Sequence, residues 1–409
     1  MGWAVPQITL YLTFYLLAFL PYLAAVCLIL LSRPSKASLL AIAVVSLALR
    51  LPHLPGWTPI STDIYRYRWD GKVQHYGVIP YLYAPSDPEL KRYRDRLWKR
   101  INNKHVRTIY PPASQLLFWL CYKLDHRSAL PFKASFVLFD LLSIAVLARL
   151  LRRLSLPPQR CLIYAWNPLV IDAFAINAHQ DSLGILGMLL ALNFAMGGKP
   201  APAGLSLCLS VMSKGAPVLL LPAFVKRAGL KVLPWLALGA LILVAPYVKG
   251  GVGLVGGLGA FTSYWHRNAS LYDLLCLLLR PFPKEVTLAR SIAAAVVLYI
   301  AFFLAPKMAG TDRGLIRASF WTIGALLLLS PALFPWYLCW LVPLLCVRVL
   351  WGWLLLTALV GICYATYATS PLSEAYYGLM VLEYLPSFSL MLWEVRRELR
   401  RSLLQPVKF

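Results

Sequence analysis

Residues 8 to 32 read ITLYLTFYLLAFLPYLAAVCLILLS, an apolar stretch without a single charged side chain. A helix of about 20 such residues crosses the hydrocarbon core of a bilayer, because each residue advances about 1.5 Å. No charged side chain precedes Arg33. The segment therefore lacks the basic start of a cleavable signal peptide, and we interpret it as a retained membrane span.

The whole chain has the same character. Of its 409 residues, 60% are hydrophobic and only 14% are charged. At roughly 20 residues per crossing, this composition allows on the order of 12 spans and leaves little for a separate soluble domain. The composition excludes a soluble globular protein.

Apolar segments recur along the chain and predict an all-α polytopic membrane protein with about 11 to 13 transmembrane helices. They cover residues 8–32, 38–54, 133–151, 161–177, 181–197, 201–213, 215–225, 232–248, 286–305, 315–331, 336–349, 351–370 and 379–394.

The basic connections predict the orientation, since short cytoplasmic loops carry the excess of Lys and Arg. They lie at 33–36, 152–160, 226–231, 307–317 and in the tail 396–409. All of them can face the cytoplasm if the N-terminus starts outside and residues 110–124 lie along the outer face. We then expect three parts: an extra N-terminal helix and basic turn (1–37), a catalytic membrane domain (38–395) and a basic cytoplasmic tail (396–409).

A long loop, residues 55–131, falls on the extracytoplasmic side in this topology, and we expect it to contain interfacial helices. Its first part, residues 55–111, carries eleven Lys or Arg against five Asp or Glu. That excess opposes the orientation, although long loops follow the charge rule poorly.

The formal net charge of +24, from 40 basic and 16 acidic residues, favours anionic lipid headgroups. No motif supports nucleic-acid binding. The eight cysteines contain no C-x-x-C pair, so we expect neither a zinc site nor a disulfide framework. No glycine-rich nucleotide motif is present, and these residues require no cofactor, although they leave a divalent cation possible.

The most informative stretch is Asp63-Ile-Tyr-Arg-Tyr-Arg-Trp-Asp-Gly71, which follows the second apolar segment. If it is helical, Arg66 and Asp70 can pair at i, i+4, and Asp63 lacks that partner. A carboxylate at the mouth of an apolar cavity gains proton affinity, which suits Asp63 as a general base. The alternative is that Asp63 caps an interfacial helix, and caps are commoner than catalytic acids.

Other candidates fall on the predicted outer side. Tyr110 could line a substrate groove, or its two following prolines could simply start a helix. His179 and Asp181 follow an apolar helix, where ionisable groups are costly and therefore functional candidates, although Asp181 could cap the next helix. Lys214 needs an anion, either a substrate lipid phosphate or ordinary headgroups.

Two aromatic turns complete the set of candidates, because flat sugar faces stack on aromatic rings. One contains Trp265 and Asn268, and the other contains Trp336 and Tyr337. The alternative for these rings is the ordinary interfacial belt of membrane proteins. Asp140, inside an apolar helix, is expected to pair with a neighbouring helix.

These motifs together resemble the membrane-embedded GT-C glycosyltransferases, above all the bacterial polyprenol-phosphate-mannose-dependent mannosyltransferases of glycosyltransferase family 87. The resemblance covers about residues 38 to 395. It rests on Asp63 to Gly71, Tyr110-Pro-Pro, Asn167-Pro-Leu, Ala178-His-Gln-Asp181, Ser213-Lys-Gly and Phe334-Pro-Trp-Tyr337. Phe334 replaces a histidine that often precedes Pro-Trp-Tyr in that family.

The resemblance implies an inverting transfer of a sugar, which is mannose in that family, from a polyprenyl-phosphate donor to a lipid or glycan acceptor on the extracytoplasmic face of a bacterial cytoplasmic membrane. Asp63 would be the base, and Lys214, Arg66 and Arg68 would bind the donor phosphate. Asp70, Tyr110, His179, Asp181, Trp265, Asn268, Trp336 and Tyr337 would bind substrate. We expect a monomer without a metal site.

Two alternatives stay open at this stage. A transporter or flippase for an anionic lipid-linked sugar would use the same Lys and His along a path. A non-catalytic polytopic subunit would merely dock partners. The gathering of ionisable residues near one face, with no internal repeat, favours the enzyme.

Overall fold

The structure is a computed structural model that describes residues 5–33, 35–251, 265–369 and 373–404. Its regular elements within these residues are helical, without a β-strand. The α-helices are α1 Val5–Leu31, α2 Lys36–Ala48, α3 Asp63–His75, α4 Pro112–Leu124, α5 Leu130–Arg153, α6 Leu162–Ala165, α7 Pro168–Ile171, α8 Asp181–Met196, α9 Pro200–Lys214, α10 Leu221–Ala228, α11 Val232–Val244, α12 Leu271–Leu279, α13 Glu285–Tyr299, α14 Ala305–Met308, α15 Asp312–Leu328, α16 Val342–Leu345, α17 Trp351–Leu359 and α18 Glu374–Leu404.

Tighter and wider turns join several of these helices. The 3-10 segments are Leu51–His53, Pro88–Tyr93, Trp98–Arg100, Pro158–Cys161, Ala216–Leu220, Ala245–Gly250, Pro335–Trp340 and Val360–Ala368, and the π-helical segments are Asp172–Ile176 and Ile300–Leu304.

Five continuous helices in the described part are long and apolar enough to cross a membrane. They are Pro6–Leu31, Lys36–His53, Leu130–Arg153, Val232–Gly250 and Glu285–Met308. The protein is therefore a polytopic membrane protein. The number of crossings between 11 and 13, and the orientation, stay predictions.

Two of the apolar segments are broken: the sequence indicated the interruption at Asn167-Pro168, but not the one within 336–349. Residues 161–177 divide into α6, α7 and a π-helical turn, because Asn167 caps α7 and Pro168 cannot continue α6. Residues 336–349 contain only a 3-10 segment, which Pro335 opens, and the short α16, which has Pro343 in its first turn. Both segments are buried almost all round, so hydropathy alone could not reveal the breaks.

Helices α3 and α4 form a separate packed unit with its own apolar cluster. Each has 13 residues, or roughly 20 Å, which is too short to span a bilayer. They approach so closely that a Cβ on Gly71 would meet the carbonyl oxygen of Phe118 at 2.2 Å. Residues 63–72 are helical, which is the condition for the Arg66–Asp70 pair, and prolines open α4 as the sequence indicated.

Helix α1 is bonded into the main core. The Tyr15 hydroxyl donates to the carbonyl of Thr357 at 2.6 Å, and the Tyr22 hydroxyl donates to the carbonyl of Ile163 at 2.7 Å. The expected partner of Asp140 is Arg50, directly after α2, and both side chains are fully buried. The eight cysteines are free thiols, and six of them are buried as small packing residues.

Candidate functional site

The turn from Asn177 to Asp181 organises the site. The π-helical segment before it ends with the Asn177 N–H donating to the Asp172 carbonyl, and the His179 N–H donates to the Ala173 carbonyl, both at 2.8 Å. Ala178 takes a left-handed conformation with φ of 55°. This backbone allows successive side chains to reach different neighbours, since π-helical turns alter the helical register.

Asn177 holds the loop that leads into α3. Its side-chain oxygen accepts from the backbone N–H groups of Ile60 and Ser61, at 3.3 and 3.1 Å. Its amide nitrogen donates to Asp172 at 2.9 Å. Because Asp63 is only two residues beyond Ser61, this bond helps to determine where its carboxylate lies.

Asp63 is the first residue of α3, and the N-cap residue is Thr62. The Asp63 carboxylate accepts from the Asn102 amide at 2.9 Å, and its other oxygen lies 3.5 Å from Nδ1 of His179. The side chain is 20% exposed. Asp63 therefore does not cap the helix, and its carboxylate faces a cavity.

The pKa of Asp63 is lowered from its ordinary value, contrary to our expectation. Burial by itself raises this pKa, but the adjacent His179 imidazole, the Asn102 amide and the charge of Lys214 together outweigh burial. Asp63 is thus ionised near neutral pH and can accept a proton there. The sequence-based argument considered the apolar surroundings and missed these polar neighbours.

Asp70, two turns further along α3, is enclosed. It accepts from Nε of Arg66 at 2.9 Å, from the Thr108 hydroxyl at 2.6 Å and from the Gln115 amide at 2.9 Å. The predicted i, i+4 pair with Arg66 is therefore present. Asp70 is 1% exposed and does not line the cavity.

Lys214, at the end of α9, lines the cavity and pairs with Asp181 at 3.0 Å. The Asp181 carboxylate also accepts from the indole N–H of Trp340 at 2.9 Å. The ammonium group lies 4.6 Å from the centre of the Tyr337 ring. Asp181 begins α8, but its carboxylate bonds to these two side chains, and Gln180 is the N-cap residue.

The cavity has a volume of about 610 Å³. Of the described residues that line it, Asp63 is the sole carboxylate, whereas five are Lys or Arg. The lining residues are Ile60, Ser61, Thr62, Asp63, Arg66, Arg100, Ile101, Asn102, Asn103, His105, Val106, Arg107, Ile109, Tyr110, Pro111, Lys214, Trp265, His266, Arg267, Phe334, Trp336, Tyr337, Tyr364 and Tyr367. The charge balance suits an anionic ligand beside one base.

Stacked rings form one wall of this cavity. Trp336 lies between Phe334, at 4.8 Å between ring centres, and His179, at 3.7 Å. The planes are nearly parallel, at 7° and 15°. A flat sugar face could lie against these rings or against the neighbouring Tyr337.

The structure brings together seven of the residues that the sequence predicted. Asp63, Arg66, Tyr110, Lys214, Trp265, Trp336 and Tyr337 line the cavity. His179 and Asp181 lie directly behind them, in contact with Asp63 and Lys214.

Three predicted residues lie away from the cavity. Arg68 pairs with Asp95 at 2.9 Å on the outer side of α3. Asp70 is enclosed as described above, and the buried Asn268 donates to Glu383 at 2.8 Å. The phosphate-binding role expected for Arg68 does not fit its position, because its guanidinium is already paired and outside the lining.

The sequence analysis missed several lining residues, notably Asn102, Arg107 and Arg267. Asn102 and Arg107 lie in an irregular segment that folds back over the start of α3, and no periodicity indicates this. Arg267 lies between Trp265 and Asn268, which we had singled out, and its guanidinium lies 4.1 Å from the centre of the Tyr367 ring. A search for cations beside the aromatic turns could have found it.

No group of three or more His, Cys, Asp or Glu side chains in the described ranges is arranged to hold a metal ion.

The fold and the site define a polytopic membrane protein whose cationic, aromatic cavity contains one carboxylate among its described lining residues. The chain belongs to the family described as alpha-(1->6)-mannopyranosyltransferase, N-terminal domain, whose model matches residues 4–228. This range covers more than half of the chain and includes α1. No curated protein matches the chain.

The family membership supports a glycosyltransferase that uses mannose. The predicted glycosyltransferase class is thereby confirmed, and the family description supports the mannose that the resemblance implied. Membership of glycosyltransferase family 87 and dependence on polyprenyl phosphate are not confirmed by this match.

Proposed function

We propose that the protein transfers mannose from a polyprenyl-phosphate donor to a hydroxyl group of a lipid or glycan acceptor, with Asp63 as the general base. The observation that carries the proposal is the position of Asp63. It is the sole carboxylate among the described residues of a cavity that five cationic side chains line.

The proposed reaction is a single displacement. Asp63 takes the proton of the acceptor hydroxyl as the acceptor oxygen bonds to the anomeric carbon. The bond from that carbon to the phosphate oxygen breaks, and its electron pair remains on the departing polyprenyl phosphate. Attack opposite the leaving group inverts the anomeric configuration.

Arg66 and Lys214 are the proposed partners of the phosphate. Nη2 of Arg66 is buried without a hydrogen-bond partner among the described residues, although Nε and Nη1 are bonded. A guanidinium N–H in that state suits an anionic oxygen. Lys214 can balance the developing charge while it keeps its bond to Asp181.

The extracytoplasmic location follows from the predicted topology. The cavity is lined by residues from 60–66, 100–111, 214, 265–267 and 334–337, all assigned to the outer side, and by 364–367 at the outer end of a predicted span. A lipid-linked donor could enter such a cavity from the bilayer. The proposed setting is the cytoplasmic membrane of a bacterium.

The transporter alternative accounts less well for this arrangement. A transport path needs ionisable groups near the bilayer midplane, whereas the polar groups described here gather around one loop and its neighbours. A transporter also moves its substrate without changing it chemically, so it needs no general base such as Asp63.

The test uses the purified full-length protein with radiolabelled polyprenyl-phosphate mannose and lipid extract as acceptor. Asp63→Asn is expected to lower kcat by about 10²- to 10⁴-fold, because the amide cannot accept the proton. The size-exclusion profile and Tm should match those of the unmodified protein. Undiminished transfer by the variant would overturn the assignment, and movement of intact donor across vesicles without transfer would favour the transporter.

A further inference from the structure

The imidazole of His179 is buried without hydrogen bonds. Its side chain is 1% exposed, and neither ring nitrogen has a hydrogen-bond partner among the described residues. Buried polar atoms in native proteins are nearly always bonded, so an exception requires an explanation. The nearest ion-pair contact of this ring is the one to Asp63, where Nδ1 lies 3.5 Å from Oδ2.

The surroundings of His179 hold the ring in place. Trp336 stacks on it at 3.7 Å between ring centres. The backbone N–H of His179 is bonded to the Ala173 carbonyl at 2.8 Å, and the preceding Ala178 has a left-handed conformation. The ring is therefore constrained on one face and through its backbone, with Nδ1 towards Asp63.

His179 does not itself line the cavity. Trp336 covers one face of the His179 ring, and it is Trp336 that lines the cavity. The substrate-binding role that the sequence predicted for His179 therefore does not fit its position. Its accessible polar neighbour is the carboxylate of the proposed base.

We propose that His179 is a positioning residue for Asp63, donating from Nδ1–H to Oδ2 when substrate closes the 3.5 Å separation. This inference rests on the proposed function of Asp63. Catalytic hydrogen bonds are often long in free enzymes and shorten in the reactive complex. Asn102 holds Oδ1 from the other side, so the carboxylate is restrained at both oxygens and keeps a lone pair for the acceptor proton.

The charges around Asp63 make this role measurable. The groups that face it are His179 and Lys214, together with the hydroxyls of Tyr67, Tyr110, Tyr337 and Tyr367. Burial raises the pKa of Asp63, and His179 leads the contributions that lower it. Removing the imidazole nitrogens should therefore raise the pKa of the Asp63 carboxyl.

Two substitutions at His179 distinguish the contribution of the imidazole nitrogen from that of the flat ring. His179→Phe keeps a flat ring for Trp336 but has no nitrogen, whereas His179→Asn keeps an N–H group near the position of Nδ1. We expect kcat to fall by about 10- to 100-fold in His179→Phe, with donor KM changed by less than about threefold. The acidic limb of kcat/KM should move to higher pH. His179→Asn should recover part of kcat.

His75→Gln is the matched control, because His75 lies exposed at the other end of α3. It should leave kcat and the pH profile unchanged. Asp63→Asn combined with His179→Phe should be no slower than Asp63→Asn alone, since the two residues act as one unit.

The outcomes separate the two proposals. If Asp63→Asn is inactive while folded His179→Phe keeps normal kcat and an unmoved acidic limb, His179 has no positioning role and the base assignment survives. If Asp63→Asn remains active, the proposed function itself fails. If His179→Phe does not fold, His179→Leu, which also lacks an N–H donor, supplies the same test, and an unmoved acidic limb there overturns the inference.

Discussion

Helix α3 carries two carboxylates, one at its first residue and one two turns later, and their surroundings differ. At the first residue, Asp63 has one bonded oxygen, a second oxygen 3.5 Å from His179, and open contact with the cavity. Two turns later, both oxygens of Asp70 are bonded and the side chain is 1% exposed. A carboxylate in such a motif can therefore take part in a reaction where its oxygens keep accessible lone pairs, and stabilises the fold where they are all bonded.

The largest expected effect on stability comes from removing the enclosed carboxylate of Asp70. Asp70→Ala leaves Arg66 without its buried partner, and breaking such a pair costs about 3–5 kcal/mol. We expect a marked fall in Tm in detergent. The kcat of the folded fraction should stay at least tenfold above that of Asp63→Asn. A stable Asp70→Ala protein with no activity would contradict the division of roles between the two carboxylates.

The next largest effect concerns Lys214, which lines the same cavity as Asp63. Lys214 pairs with Asp181 but also lines the cavity, so it can interact with a donor phosphate. Lys214→Met combined with Asp181→Asn removes both charges without leaving a buried carboxylate unpaired. We expect donor KM to rise about tenfold, or about 1.4 kcal/mol, with kcat less affected.

Lys214→Arg is the control for this substitution, because it retains the charge and should retain most of the donor affinity. Kinetics against donor concentration, at saturating acceptor, measure the effect. A donor KM unchanged in the double variant would remove Lys214 from the phosphate site and leave Arg66 and Arg267 as the cations to test.

The sequence predicted the long elements of this fold well. Apolar runs such as 8–32 and 181–197 coincide with α1 and α8 within a few residues, because a helix without charges has few alternatives in a bilayer. The sequence also indicated the break at Asn167-Pro168 within 161–177, whereas the break within 336–349 was missed, since a segment buried on all sides carries no amphipathic pattern.

The site was predicted in part for a related reason. Asp63, Lys214 and Trp336 stand out because charged or aromatic side chains at membrane depth are costly or distinctive. Asn102 and Arg107 come from an irregular loop, and its return to α3 depends on tertiary contacts such as the Arg66 bond to the Val106 carbonyl at 2.9 Å. No local pattern encodes that approach.

The smallest expected effect concerns the outer side of α3, where Asp95 accepts from Arg68 and Lys72, both at 2.9 Å. Burial raises the pKa of Asp95, but these two cations outweigh it and lower the pKa to about 2. An unfolded Asp titrates near pH 3.9. The stabilisation is therefore fully present above about pH 4 and is lost as the pH falls towards 2.

Asp95→Asn tests this electrostatic contribution without a large change in size. At pH 7 we expect the variant to be less stable than the unmodified protein by under about 1 kcal/mol, because Asp95 is partly exposed and solvent screens the pairs. The difference in Tm should shrink as both proteins are acidified towards pH 2, while mannose transfer at pH 7 should remain within about twofold. A Tm difference that persisted unchanged at low pH would mean that packing, rather than charge, holds the outer loop to α3, and a large loss of transfer would mean that the outer side of α3 belongs to the site.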